Sequence, residues 1–191
     1  MRAIPICLLA TFLSCATPLW AGSNWESASK EAVLKADWRS VAEITREWQE
    51  REPDSAVAHW LAGYAGLATG DYRLATDGFG RLNKPESFSQ LQKWAASLAA
   101  DNPRNAVPFM LQGDALARAG KYADAIVFLD KAVSLDPHSA LTYNARGVVN
   151  ALADRPQGAM ADFTEATRLS PQFADAYTNQ GLLQLVQGEH Q

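Results

Sequence analysis

Small and apolar residues in this chain return at fixed intervals. Glycines stand at Gly63, Gly113, Gly147 and Gly181, at intervals of 50, 34 and 34. Ala75, Ala125 and Ala159 keep the same ruler, as do Phe79, Leu129 and Phe163. Pro103, Pro137 and Pro171 follow at 34 and 34. One insertion ahead of Pro103 lengthens 34 to 50 and explains every long interval, so the period is 34. Within the insertion, Pro85-Glu86-Ser87-Phe88 reads as a helix start. Phe88, Leu91, Trp94, Ala95 and Leu98 then recur at helical spacing as far as Asp101-Asn102-Pro103. The spacing predicts an amphipathic helix, with two origins open: an extra helix, or a degenerate repeat that has lost its first helix.

These residues resemble the tetratricopeptide repeat, in which an aromatic, a Gly, an Ala, a Phe and a Pro recur at fixed offsets. Ala140 to Phe173 fits best, through Tyr143, Gly147, Ala159, Phe163, Ala166 and Pro171. The other units are 22–55, 56–105 with the inserted helix, 106–139 and a partial one over 174–191. The first is weak: Trp25, Trp38, Trp48 and Pro53 match, while the Gly and Ala positions do not. The resemblance implies an all-α, right-handed α-solenoid of helix-turn-helix units, each an antiparallel pair of helices A and B. In it Gly at position 8 and Ala at position 20 let the two helices approach. Gly70, Gly120 and Gly188 fall at the A-to-B turn, where left-handed backbone is wanted. One pair cannot bury its apolar face alone, and stacking completes the core.

A binding surface is implied as well. Positions 2, 5, 9 and 12 of each helix A lie about 110° from its packing side, and successive A helices place that stripe on one concave face. In this sequence the stripe is Val57, Trp60, Tyr64 and Leu67, then Val107, Met110, Asp114 and Ala117. It continues through Leu141, Asn144, Val148 and Ala151 to Asp175, Thr178, Leu182 and Leu185. The stripe is a mostly apolar groove, with Trp60 and Tyr64 as aromatic anchors for a protein or peptide partner. Family members that grip chaperone C-terminal carboxylates do so with Lys, Arg and Asn at set positions. From Ala106 onward those positions hold Met110, Asp114, Ala145, Asp175 and Asn179, which form no cationic clamp.

Charge and chemistry narrow the reading further. The net charge is −4, with 17 basic residues scattered among 21 acidic ones, and no basic block suggests nucleic acid. No GxSxG, HExxH, P-loop, paired GxGxxG or CxxC motif occurs. His59, His138 and His190 fall at unrelated repeat positions, so no metal, cofactor or catalytic site is expected. Met1-Arg2 precede an uncharged run from Ala3 to Ala21, which reads as a signal peptide over residues 1–21. Cleavage is expected after Ala16 or Ala21. The alternatives are a lipoprotein anchored at Cys15, which would bring a membrane as partner, and an uncleaved anchor. Both cysteines, Cys7 and Cys15, lie in this leader. The sequence therefore points to a periplasmic or secreted interaction scaffold of the cell envelope that is not an enzyme. The alternative is the repeat-bearing part of a larger enzyme or envelope-assembly factor.

Overall fold

The computed structural model describes residues 25–188, so the expected leader and Cys15 lie outside the described residues. Those residues form ten helices and no strand. In chain order they are α1 (Trp25–Leu34), α2 (Trp38–Arg51), α3 (Ala56–Thr69), α4 (Tyr72–Gly80) and α5 (Pro85–Asp101). There follow α6 (Ala106–Arg118), α7 (Tyr122–Leu135), α8 (Ala140–Leu152), α9 (Pro156–Leu169) and α10 (Ala174–Gln187). No described helix is long and apolar enough to cross a membrane.

Short polar residues start the helices. Asp37, Ser55, Asp71, Asn105 and Ser139 each accept, through the side chain, a hydrogen bond from a first-turn backbone N–H. Pro85 and Pro156 take the first helical position, where no amide donor is needed. The A-to-B turn is more regular than its residues suggest. Ala36, Gly70, Gly120, Asp154 and Gly188 all have positive φ, at 51°, 77°, 75°, 57° and 77°. Their intervals of 34, 50, 34 and 34 are those of the repeat ruler. The first, weakly patterned unit thus keeps the common register, with an alanine carrying the left-handed turn.

The glycine and alanine ruler marks where A and B helices touch. A Cβ on Gly63 would lie 2.5 Å from the Phe79 ring, one on Gly113 would lie 2.6 Å from Leu129 Cγ, and one on Gly147 would lie 2.6 Å from the Phe163 ring. Ala75, Ala125 and Ala159 are buried as well. Two contacts fall outside the ruler. A Cβ on Gly66 would meet the Ala75 backbone nitrogen at 2.4 Å, and one on Gly78 would meet the Gly63 nitrogen and His59 oxygen at 2.6 Å. The backbones of α3 and α4 therefore come closer than the repeat pattern requires.

The inserted segment is the helix α5, as the spacing predicts. It packs extensively on α6 and also on α3, but scarcely touches α4. It stands before α6 as α7 stands before α8 and α9 before α10. That is the place of a helix B. Helix α1 then reaches α6, where Asn105 Nδ2 donates to the Leu34 carbonyl at 2.7 Å across 71 residues of chain. Between α2, α4 and α5, helix α3 is buried on every side from Ala56 to Gly66. The main core gathers Trp48, Trp60, Leu61, Leu91, Trp94 and Leu111 there.

Candidate functional site: the concave cavity

Helices α3, α6, α8 and α10 supply most of the walls of a cavity of about 280 Å³. Of the residues expected on the concave stripe, Tyr64, Leu67, Asp114, Ala117, Leu141, Asn144, Val148 and Asp175 line it. Trp60, one of the two expected aromatic anchors, and Met110 do not: their exposures are 0% and 1%. The reason is α5. Its Trp94 meets the Trp60 ring edge-on at 6.2 Å, and Trp60 is also edge-on to Tyr64 at 6.0 Å. Buried indole needs a partner for its N–H, and Trp60 Nε1 donates to Asp114 Oδ2 at 2.6 Å. Val57 is buried in the core, and Val107 packs against it. Of the aromatic end of the stripe, Trp60 is therefore interior, while Tyr64 borders the cavity.

The cavity is apolar with a polar seam. Phe79, Ala145, Val149 and Leu152 join the expected residues, as do Arg118 and Asn179. Arg118 was legible as the i+4 partner of Asp114 on one helix face; Phe79 reads from the sequence only as packing. Arg118 Nε donates to Asp114 Oδ2 at 2.6 Å, and its guanidinium lies over Phe79 with Cζ 4.5 Å from the ring centroid. Burial opposes the Arg118 charge, but the Asp114 carboxylate and Tyr64 outweigh it, so the pKa rises above the usual guanidinium range. Burial likewise drives the Tyr64 phenol well above its ordinary pKa, with the Asp114 charge adding to the effect. Across the seam, Asn179 Nδ2 donates to Asn144 Oδ1 at 3.0 Å. Burial raises the carboxyl pKa of Asp175, whose Oδ2 is enclosed without a hydrogen-bond partner.

At the α8–α10 edge of the cavity the apolar surface becomes exposed. Leu152 on α8 is 55% exposed, and Leu182 and Val186 on α10 are 54% and 84% exposed. The open part of the concave side therefore lies at α8 and α10. Among the described residues no group of three or more His, Cys, Asp and Glu side chains is placed to hold a metal ion.

Comparison with known proteins agrees with this architecture. The family model for the tetratricopeptide repeat matches residues 91–140 and 110–172. A stretch of 77 residues is 32% identical to a TPR repeat-containing thioredoxin of Arabidopsis thaliana, covering 40% of this chain and 11% of that protein. A thermophilic TPR protein of Thermus thermophilus has the same fold, at a TM-score of 0.52 and 14% identity over 84% of this chain and 99% of that one. MamA of Desulfovibrio magneticus superposes at a TM-score of 0.49, with 16% identity over 87% of this chain and 85% of that one. Proteins built from this repeat generally mediate protein–protein interaction, and the fold is typically non-catalytic. Residues 91–172 thus match the tetratricopeptide repeat, and the described helices have the all-α fold of proteins built from it.

Proposed function

We propose that this protein is a binding scaffold, not an enzyme, and that it holds a peptide segment of a protein partner on its concave side. The observation that carries the proposal is the exposed apolar run of Leu152, Leu182 and Val186 leading into the cavity. None of these side chains belongs to a hydrophobic core cluster, half or more of each is left open, and apolar surface rimmed by polar groups is what partner segments bury. The cavity accepts one large side chain, and the run beyond it accepts the rest of an amphipathic helix or extended apolar segment. The binding face proposed is Tyr64, Leu67, Asp114, Leu141, Asn144, Val148, Leu152 and Leu182, without Trp60 and Met110.

Selection of binders from a random peptide library tests this. Peptides that bind the parent should lose binding to Leu182→Asp and keep it with Val127→Asp, a change at a solvent-exposed residue of α7. Equal binding to both variants, or loss only with Val127→Asp, sinks the concave-face reading.

The apolar run from Ala3 to Ala21 supports export to the envelope, as a periplasmic or secreted protein or one lipidated at Cys15. N-terminal sequencing of the mature protein should then begin near Thr17 or Gly22, or find a blocked Cys15; a cytoplasmic product starting at Met1 refutes export. A second reading, the repeat-bearing part of a larger enzyme or assembly factor, is favoured by the match to 11% of a thioredoxin that carries such repeats.

A further inference from the structure

The concave cavity holds a guanidinium whose hydrogen-bonding capacity is only partly used. Arg118 reaches it from the last turn of α6, with its side chain 23% exposed and its Nε committed to Asp114. Among the described residues neither Nη1 nor Nη2 has a hydrogen-bond partner. Asp114 is itself taken up, since its Oδ2 accepts from both Trp60 and Arg118. The outer edge of the guanidinium is thus free, backed by the face of Phe79.

The same chain shows what such a group holds when acceptors are at hand. Arg146 on α8 also lies over an aromatic ring, with Cζ 5.4 Å from the Tyr143 centroid. It binds two carboxylates: Nε and Nη2 donate to Asp162 at 3.0 and 2.6 Å, and Nη1 donates to Asp130 at 2.8 Å. Arg118 has the first carboxylate of that arrangement and lacks the second. Its free edge belongs to a cavity whose remaining walls are largely apolar, where a charge pair is screened less than at an open surface. Two parallel N–H donors match the two oxygens of a carboxylate.

Resting on the concave-face reading above, we infer that Arg118 anchors a carboxylate of the bound segment beside a large apolar side chain that fills the cavity. The carboxylate is an acidic side chain or a chain terminus. Two neighbouring acids bear on this. Asp114 is balanced by Arg118 itself. Asp175 borders the same cavity from α10, across it from Arg118, with its Oδ2 enclosed and without a hydrogen-bond partner. Arg118 is not among the positions at which family members clamp chaperone C-termini, so this subsite is separate from that one.

The test is fluorescence polarisation with labelled peptides that place Glu, Gln or Lys next to a Leu or Phe, each made with a free or an amidated C-terminus. On the parent protein the Glu peptide, or the free acid, should bind about tenfold more tightly than its Gln or amide counterpart, as a charge-assisted pair requires. The arm that shows the preference identifies the source of the carboxylate. In Arg118→Gln that preference should vanish. Should that variant fold poorly, Asp114→Asn/Arg118→Gln removes both charges and serves instead. A preference for Lys, no preference, or one that survives loss of Arg118 overturns the inference while leaving the concave face intact. Failure of every peptide to bind overturns both.

Discussion

Changing Gly78 to Ala adds one methyl group where α4 crosses α3. Its Cβ would sit 2.6 Å from the Gly63 nitrogen and from the His59 carbonyl oxygen, while ordinary contact begins at 3.4 Å, so 0.8 Å must be found. Both obstacles are backbone atoms of α3, a helix buried from Ala56 to Gly66 and held by α2 and α5 as well. Neither can rotate away as a side chain would. Overpacking of this kind costs about 1–3 kcal/mol, and the helix propensity of Ala over Gly offsets about 0.5–1 kcal/mol. With both obstacles fixed backbone the upper part of that range applies, so the expected net loss is up to about 2.5 kcal/mol, or up to roughly 10 °C in Tm for a chain of this size. Gly181→Ala is the matched control. It adds the same methyl group in a helix with nothing within 4 Å, and only the propensity gain remains. That gain should raise Tm by roughly 1–4 °C. Thermal melts followed by far-ultraviolet circular dichroism at one pH compare the two. A Gly78→Ala protein melting at or above the parent, or equal shifts in both variants, would refute the claim that backbone contact fixes this crossing.

Three further outcomes are expected. Trp60→Ala should cost about 3–5 kcal/mol through the cavity it leaves, with Asp114 also losing a donor, and should show as a lower urea midpoint; an unchanged midpoint would place Trp60 at a surface after all. Tyr64 has a folded pKa raised above its unfolded value near ~10, so the stability it lends is complete below pH ~10 and is lost as pH rises further. The parent Tm should accordingly fall more steeply above pH ~10 than that of Tyr64→Phe, and parallel pH profiles would contradict the burial of the phenol. Ala36→Gly relieves a left-handed alanine at φ 51° and should raise Tm by the equivalent of up to about 1 kcal/mol, checked by the same melts.

The period of 34 was readable because it records contacts between neighbours in sequence. Gly147 faces Phe163 and Gly113 faces Leu129, the same distance along the chain in each case, since a hairpin of fixed length brings those positions together. Helix number, register and the turns at Gly70 and Gly120 follow from the same local rule. The turn at Ala36 follows it too, although its residue type hid it. Helical spacing also placed Tyr64, Asp114, Asn144 and Val148 on one face. What covers a face is a different matter. Trp60 and Met110 share that stripe, yet α5 and its Trp94 close over Trp60, and nothing in the period says where an inserted helix will lie. The Asn105–Leu34 hydrogen bond and the close approach at Gly66 and Gly78 likewise depend on how whole helices tilt and stack. Local pattern fixes which side of each helix is apolar, because one turn of backbone suffices to define a side. Only the assembled stack decides which of those sides is left open, because burial there depends on side chains far away along the sequence.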